Sequence, residues 1–240
     1  MNLENLIANY KTPAAAVDVI ESSRIALLVG ISGAGKDTLK QALLHRAGFA
    51  EIISHTTRLP RKNGGIMEQD GVDYYFINDE KAVEMLQAGK FIEAKFVHGT
   101  VYGTSIEAVQ QAAAQGIAIT DIDVQGVEEY KDISDDVIAI FIVPPDYDTW
   151  VQRLRRRYVS EEAFMQEWPT RRDSAIHELS RALEVPYYHC IINDNLERAI
   201  TVTTEIAQRE DDVFNQKDDE ARLRARQLLD EIIKREGQKG

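Results

Sequence analysis

The sequence contains one cysteine, Cys190, in 240 residues. That excludes an internal disulfide and any metal site built from several cysteines, and it agrees with a reducing compartment. No apolar run approaches the ~18 residues that a membrane span needs. The first residues, MNLENLIANYKT, place Glu4 ahead of the only early lysine and have no unbroken apolar block. They read as neither a secretory nor a mitochondrial targeting peptide, so a soluble, cytoplasmic protein is expected. Positive charge is scarce too: 28 Lys and Arg against 40 Asp and Glu leave a net charge of −12. Such a field repels nucleic acids and anionic membranes, so neither is expected as a partner, and any polyanion must be met by a local basic pocket. The basic residues do cluster, as Arg58, Arg61 and Lys62, as Arg153, Arg155, Arg156 and Arg157, and as Arg171 and Arg172. Taken alone, each cluster is equally well a solvated face.

Hydrophobic residues make up 44% of the chain, enough for one core with extensions. Residues 1–23 carry two short amphipathic patterns, Leu3, Leu6, Ile7, Tyr10 and then Val17, Ile20, divided by Pro13; this predicts a helical N-terminal extension. Four short apolar runs rich in branched residues (Ile25 to Val29, Ile117 to Ile122, Val137 to Val143, Cys190 to Ile192) are separated by helical pattern and predict buried parallel strands in an α/β fold. A Gly, Thr, Tyr and Phe-rich stretch at about 54–104 predicts an inserted lobe, with strands at Tyr74 to Ile77 and Phe91 to Val97 and a helix from Asp79 to Ala88. Residues 145–184 are expected to be helical but interrupted at Trp168-Pro169, and Leu196 to Gln208 forms a last core helix. Residues 209–240 begin with acidic Glu210, Asp211 and Asp212. They then place Ala221, Ala225, Leu228, Leu229, Ile232 and Ile233 at helical spacing, a stripe suited to the chain's own core or to a second subunit. The oligomeric state is not legible.

The strand Ile25 to Val29 runs straight into Gly30-Ile31-Ser32-Gly33-Ala34-Gly35-Lys36, after which Leu39, Leu43, Leu44 and Ala47 keep helical spacing. Strand, Gly-x-x-x-x-Gly-Lys loop and helix together form a phosphate cradle: glycines let backbone N–H groups turn inward, the helix N-terminus adds partial positive charge, and Lys36 adds a full one. Asp37 stands where a Ser or Thr commonly offers a hydroxyl to the nucleotide's Mg²⁺, and Thr38 follows it. A carboxylate there can serve the metal, directly or through water, or can brace the first turn of the helix.

Inside the predicted lobe, Ser54-His55-Thr56-Thr57-Arg58-Leu59-Pro60-Arg61 sets two arginines around a stiffening proline, a hook that can fork a phosphate. Then come Gly71-Val72-Asp73-Tyr74-Tyr75-Phe76, Phe91-Ile92-Glu93, His98-Gly99-Thr100-Val101-Tyr102-Gly103-Thr104, Asp121-Ile122-Asp123-Val124-Gln125-Gly126, Arg153-Leu154-Arg155-Arg156-Arg157 and Asn193-Asp194. In this order the motifs resemble those of the guanylate kinase family over about residues 24–208. The resemblance implies a parallel-sheet core of the P-loop NTPase type flanked by helices, an inserted mixed α/β lobe that binds the nucleoside monophosphate, and a helical lid at about 153–172. It implies that Gly30, Ser32, Gly33, Ala34, Gly35, Lys36, Asp37, Thr38 and Asn193 bind ATP with Mg²⁺. Ser54, Arg58, Arg61, Tyr74 and Tyr102 would hold the phosphate of GMP or dGMP, while Glu93, Thr104 and Asp123 would face its base. Lys36, Arg58, Arg153, Arg157 and Arg172 would surround the moving phosphoryl group. Guanine chemistry agrees independently, since its N1–H and exocyclic amine form a donor pair that one carboxylate can accept.

Three places depart from the family pattern: Asp37, the lid's Tyr158 in place of a glycine, and an R-x-G-E motif whose acidic position is here Gly64. Two alternatives stay open on the residues alone. One is a kinase for another phosphorylated substrate such as a ribose bisphosphate, suggested by the Lys36-Asp37 pair; the other is a non-catalytic interaction module of the same fold. Retention of Glu93, Tyr102, Thr104 and Asp123 argues against the first, and retention of Lys36, Arg153, Arg157 and Arg172 against the second.

Overall fold

A computed structural model of the chain describes residues 3–46, 48–63, 65–208 and 218–237. From the N-terminus the elements are α1 (Leu3–Ala8), α2 (Ala14–Ser22), β1 (Ile25–Val29), α3 (Lys36–Leu44), β2 (Phe49–Glu51), β3 (His55–Thr56), β4 (Lys62–Asn63), β5 (Ile66–Met67), β6 (Tyr75–Phe76), α4 (Asp79–Gln87) and β7 (Phe91–Val97). They continue with β8 (Thr100–Ser105), α5 (Ile106–Ala113), β9 (Ile117–Asp121), α6 (Val124–Lys131), β10 (Ile138–Val143), α7 (Tyr147–Arg155), α8 (Glu161–Glu184), β11 (Tyr188–Ile192), α9 (Leu196–Gln208) and α10 (Asp218–Gly237). No helix among the described residues is long and apolar enough to cross a membrane.

The chain divides into two compact units, one of residues 1–25, 48–120 and 129–137, the other of 26–47, 121–128 and 138–240. In the second unit β1, β10 and β11 lie parallel in the order β11-β10-β1, with Leu28 opposite Ile140 and Phe141 opposite Cys190. Every residue of β1 is buried, which is why the strand reads IALLV with no polar alternation. The parallel α/β reading of these runs holds.

In the first unit β2 pairs parallel with β9, and a four-stranded sheet runs β6-β3-β8-β7. The H-G-x-x-Y-G-T motif turns only at His98-Gly99, where φ is +50 and +81, as a two-residue hairpin of the primed type requires. The rest of that motif is β8, antiparallel to β7. Pro13 caps α2 in extended backbone, so α1 and α2 are two helices, as the sequence predicts. The buried face of α2 is Ala16, Val19 and Ile20.

Two predictions about the second unit need correction. Trp168-Pro169 does not break a helix: α8 runs through Pro169. The carbonyl that this proline leaves without a donor belongs to Met165, whose side chain is half-exposed, so water can reach that face. Trp168 meanwhile packs its ring 5.5 Å from Trp150 and 5.4 Å from Phe164, an aromatic cluster that holds α8 against α7. The C-terminal stripe also needs trimming. Ala221, Ala225, Leu228 and Ile232 are buried, but Ile233 is exposed.

The stripe packs α10 onto its own unit, against α8 and β11. Polar contacts fix both ends of α10. Asp218 accepts the Cys190 N–H at 2.5 Å, and Arg222 donates to the carbonyl of Tyr188 at 2.6 Å. Near the other end Arg235 donates to Asp148 at 3.2 Å and lies 4.0 Å from the centre of the Tyr147 ring. Ala47, Gly64 and the acidic stretch Glu210, Asp211, Asp212 fall outside the described residues.

Leu228→Ala should destabilise the protein by about 2–5 kcal/mol, as removal of a buried leucine does. A melt followed by circular dichroism should show a drop of roughly 5–15 °C. A drop below about 2 °C would mean that α10 contributes nothing to its unit.

Candidate active site

The glycine-rich loop is shaped by donors that reach it from elsewhere in the second unit. Trp150 Nε1 donates to the Ser32 carbonyl at 2.8 Å, Asn193 Nδ2 to that of Ala34 at 2.9 Å, and Arg153 to that of Ala34 at 3.4 Å and to that of Asn193 at 3.0 Å. With its carbonyls drawn outward, the loop can present backbone N–H groups to an anion. Gly35, at φ +96, is irreplaceable for space as well as conformation: a Cβ there would lie 2.4 Å from Asn193 Nδ2. Gly33, Gly35, Thr38, Arg153 and Asn193 line an open cavity of about 410 Å³. Asn193 therefore enters the site as the group that holds the loop as well as one that lines the cavity.

Lys36 begins α3 and donates Nζ to the Gly30 carbonyl. Burial lowers its pKa, while the nearby charges of Glu178, Asp121 and Asp37 work the other way. Asp121 receives Lys40 at 2.5 Å; burial works to raise its pKa, but Lys40 and Lys36 hold it below the usual range. Burial raises the pKa of Glu178, which accepts from Ser174 at 2.7 Å. Arg157 bridges the loop and the first turn of α3, donating to Ser32 Oγ at 3.2 Å and to Asp37 at 3.1 Å. Asp37, the departure from the common loop, thus has a cationic partner.

On α8 the residues before Glu178 on the same helical line are Ser174 and Arg171, because seven residues return to within about 20° of the starting direction. Arg172 lies about 100° round the helix from Arg171, with Asp173 as an ion-pair partner at 2.7 Å. Arg172 is the arginine expected near the moving phosphoryl group, and the helix phase puts its neighbour Arg171 in line with the acid that acts on Lys36.

In the first unit Arg58 lies among Tyr74, Tyr102 and a further residue, Glu68. Arg58 donates Nε to the Tyr102 hydroxyl at 3.1 Å, and its guanidinium carbon lies 5.3 Å from the centre of the Tyr74 ring. Both its terminal nitrogens reach the Glu68 carboxylate, at 2.8 and 3.1 Å, and Glu68 also accepts the Arg61 N–H at 3.0 Å. Glu68 therefore supplies beside Arg58 the acid whose motif position is occupied by Gly64. The hairpin of β4 and β5 carries it four residues further on, a displacement that a fixed-spacing motif cannot follow. Hydrogen bonding to Arg58 lowers the Glu68 pKa and raises that of Arg58, so both charges are fixed. The Arg61 side chain remains largely exposed.

Beside the hook, Ser54 Oγ lies 3.3 Å from Thr104 Oγ1, and Glu93 sits opposite Thr104 in the β7–β8 register. Burial pushes the Glu93 pKa up to about 7, against the hydrogen bond from Thr104 and the charge of Lys95. Asp123 belongs to the second unit and caps α6, accepting the Gly126 N–H at 2.7 Å. That is a local structural role beside the base-reading role expected of it.

These features define an α/β protein of the P-loop NTPase type. A family model described as guanylate kinase matches residues 22–210. Guanylate kinase 1 of Oryza sativa subsp. japonica is 36% identical over 196 residues, 80% of this chain, which spans half of that relative's length. Guanylate kinases of Methylobacillus flagellatus and Sus scrofa are each 37% identical, over 72% and 79% of this chain and 83% and 94% of their own lengths. The crystal structure of guanylate kinase from Anaplasma phagocytophilum superposes with a TM-score of 0.54 over 78% of this chain and 88% of that one; at 24% identity this is a likeness of fold. The chain belongs to the guanylate kinase family.

Glu68→Gln should lower stability by about 1–3 kcal/mol at neutral pH, because it replaces charge-assisted bonds with weaker ones. The Glu68 pKa is depressed in the folded state, so the stabilisation is full above the ordinary value of 4.5 and fades as pH falls through the depressed one. Melting temperatures of the two proteins should therefore differ at pH 7 and converge in acid. A gap that widened in acid would contradict the pairing.

Proposed function

We infer that the chain transfers the γ-phosphoryl group of ATP to GMP, and to dGMP, giving ADP and GDP or dGDP. One observation carries the reading: the unit that holds the Arg58 hook also holds an enclosed carboxylate, Glu93, beside Thr104. A phosphate fork with a desolvated acceptor for a donor pair suits a guanine nucleotide, whereas a sugar phosphate would offer the buried Glu93 carboxylate no donor pair beyond its bond from Thr104. The residues named for each role are proposals of the same reading. Gly30, Ser32 to Thr38 and Asn193 serve ATP; Ser54, Arg58, Arg61, Tyr74 and Tyr102 serve the acceptor phosphate; Glu93, Thr104 and Asp123 serve the base.

In the transfer, an oxygen of the acceptor phosphate attacks the γ-phosphorus as the bond to the β–γ bridging oxygen breaks and ADP departs. No base is needed, because the acceptor is already an anion. The protein's task is to align two anions and neutralise charge on the moving group. Lys36, Arg58, Arg153 and Arg157 supply cations, and Arg171 joins them ahead of Arg172 for the reason of helix phase given above. Among the described residues no cluster of three acidic, His or Cys side chains could cage a metal. That donor set fits Mg²⁺ carried largely by phosphates and water, with Asp37, and Thr38 beside it, as the residues that would hold it. Bound there, Mg²⁺ would offset the charge of the phosphates. A cytoplasmic location, with neither nucleic acid nor membrane as partner, completes the proposal.

A coupled assay that offers GMP, dGMP, AMP, UMP and a ribose bisphosphate with ATP and Mg²⁺ tests the reading. GMP and dGMP should be phosphorylated, the others at least ~100-fold less well, and Lys36→Met should abolish turnover while leaving the chain folded by circular dichroism. Preference for the sugar phosphate, or turnover that survives in Lys36→Met, would reject it. For Asp37, the Mg²⁺ concentration giving half-maximal rate should rise several-fold in Asp37→Ala and return toward the parent in Asp37→Ser. Unshifted Mg²⁺ curves with lowered melting temperatures would make Asp37 a brace for Arg157 instead.

A further inference from the structure

The side-chain direction of Glu93 depends on an irregularity in β7. Phe91 is opposite Ser105 and Glu93 is opposite Thr104, so two steps along β7 match one step along β8: Ile92 is a bulge. In a regular strand, residues 91 and 93 point to the same face. Here they point to opposite faces, Phe91 toward His55, with ring centres 5.7 Å apart, and Glu93 toward Thr104. Erasing the bulge would turn Glu93 onto the wrong face.

The bulge lies on an edge strand, and residues outside the family match hold its outer side. The Tyr10 hydroxyl donates to the Phe91 carbonyl at 2.6 Å and accepts the Phe91 N–H at 3.1 Å. Thr12 Oγ1 donates to the Ile92 carbonyl at 3.0 Å. Successive carbonyls of a regular strand go to opposite edges, yet those of Phe91 and Ile92 both go outward, where these two hydroxyls meet them. From the inner side β8 approaches so closely that a Cβ on Gly103 would lie 2.8 Å from the Glu93 carbonyl oxygen. α1 in turn packs on α4 and β7.

We propose that Tyr10 and Thr12 form a strap that fixes the β7 bulge and thereby positions Glu93 for recognition of the guanine base. They are positioning residues, acting on the acceptor only through Glu93, and the inference rests on the assignment of Glu93 to the base. It gives the N-terminal segment a role in specificity.

The test compares Tyr10→Phe, Thr12→Val, their combination and Glu93→Gln in the full chain, by KM for GMP, KM for ATP, kcat, GMP-over-AMP preference and melting temperature. In the combined variant KM for GMP should rise roughly five- to tenfold and the preference should fall, with KM for ATP within about twofold of the parent. Thr12→Ser, which keeps the hydroxyl, should restore the Thr12→Val loss. The strap substitutions should add little in a Glu93→Gln background. Each single strap variant removes only a hydroxyl or replaces it with a methyl, so folding is readable one substitution at a time. If Glu93→Gln weakens GMP preference but the combined variant does not, the strap is overturned and the base assignment stands. If the strap variants lose stability and act equally on both substrates, with no dependence on Glu93, their role is structural and the inference fails. If Glu93→Gln leaves the preference unchanged, the base assignment itself is wrong and the strap's purpose goes with it.

Discussion

A chain with a net charge of −12 has to concentrate positive potential where multiply charged phosphates would sit, and everything in the candidate site follows from that constraint. The solution is to give several of these cations an acidic neighbour that sets their position, while Arg153 is set by backbone carbonyls. Glu68 holds Arg58, Asp37 holds Arg157, Asp121 holds Lys40, and Glu178 and Asp121 lend their field to Lys36. These acids cancel charge in the nucleotide-free protein, yet they also orient the donors before a phosphate arrives. Preorganisation of this kind spares the protein from ordering long side chains at the moment of binding. The acidic composition is thus part of how a phosphate site can be built.

The same economy of partners shapes the backbone. The carbonyls of the glycine-rich loop are taken by Trp150, Asn193 and Arg153, and the outer carbonyls of the β7 bulge by Tyr10 and Thr12. In both places a side chain remote in sequence fixes a peptide group, and so fixes what an adjacent group presents. Trp150 links the loop to the aromatic cluster of α7 and α8, which makes the anchorage of those helices continuous with the glycine-rich loop within one unit. The C-terminal helix closes that unit from outside through Asp218, Arg222 and Arg235.

Much of this was legible from residue order alone. A run such as IALLV followed by glycines, a lysine and a helical pattern determines strand, loop and helix, because local sterics and burial on both faces admit little else. The Arg58 hook could be named from its spacing, and the resemblance to guanylate kinases pointed to Glu93 and to Arg153 and Arg157, since motifs of contiguous residues carry their geometry with them. The stripe on α10 declared a buried face but not what would bury it.

What only the tertiary structure decided are relations that sequence distance hides. Glu68 replaces a missing acid because a hairpin moves it along the chain while folding returns it to Arg58. Pro169 sits within a helix because Trp168 is held by Trp150 and Phe164, and tertiary packing outweighs a local preference for a break. Arg171 rather than Arg172 shares the line of Glu178 through helix phase, which is fixed only once α8 is known to be unbroken. Glu93 reaches its face through a bulge held by a tyrosine some eighty residues earlier, and the alternation of a strand gives no sign of that. Sequence determines what depends on neighbours along the chain; partners brought together by folding decide the rest.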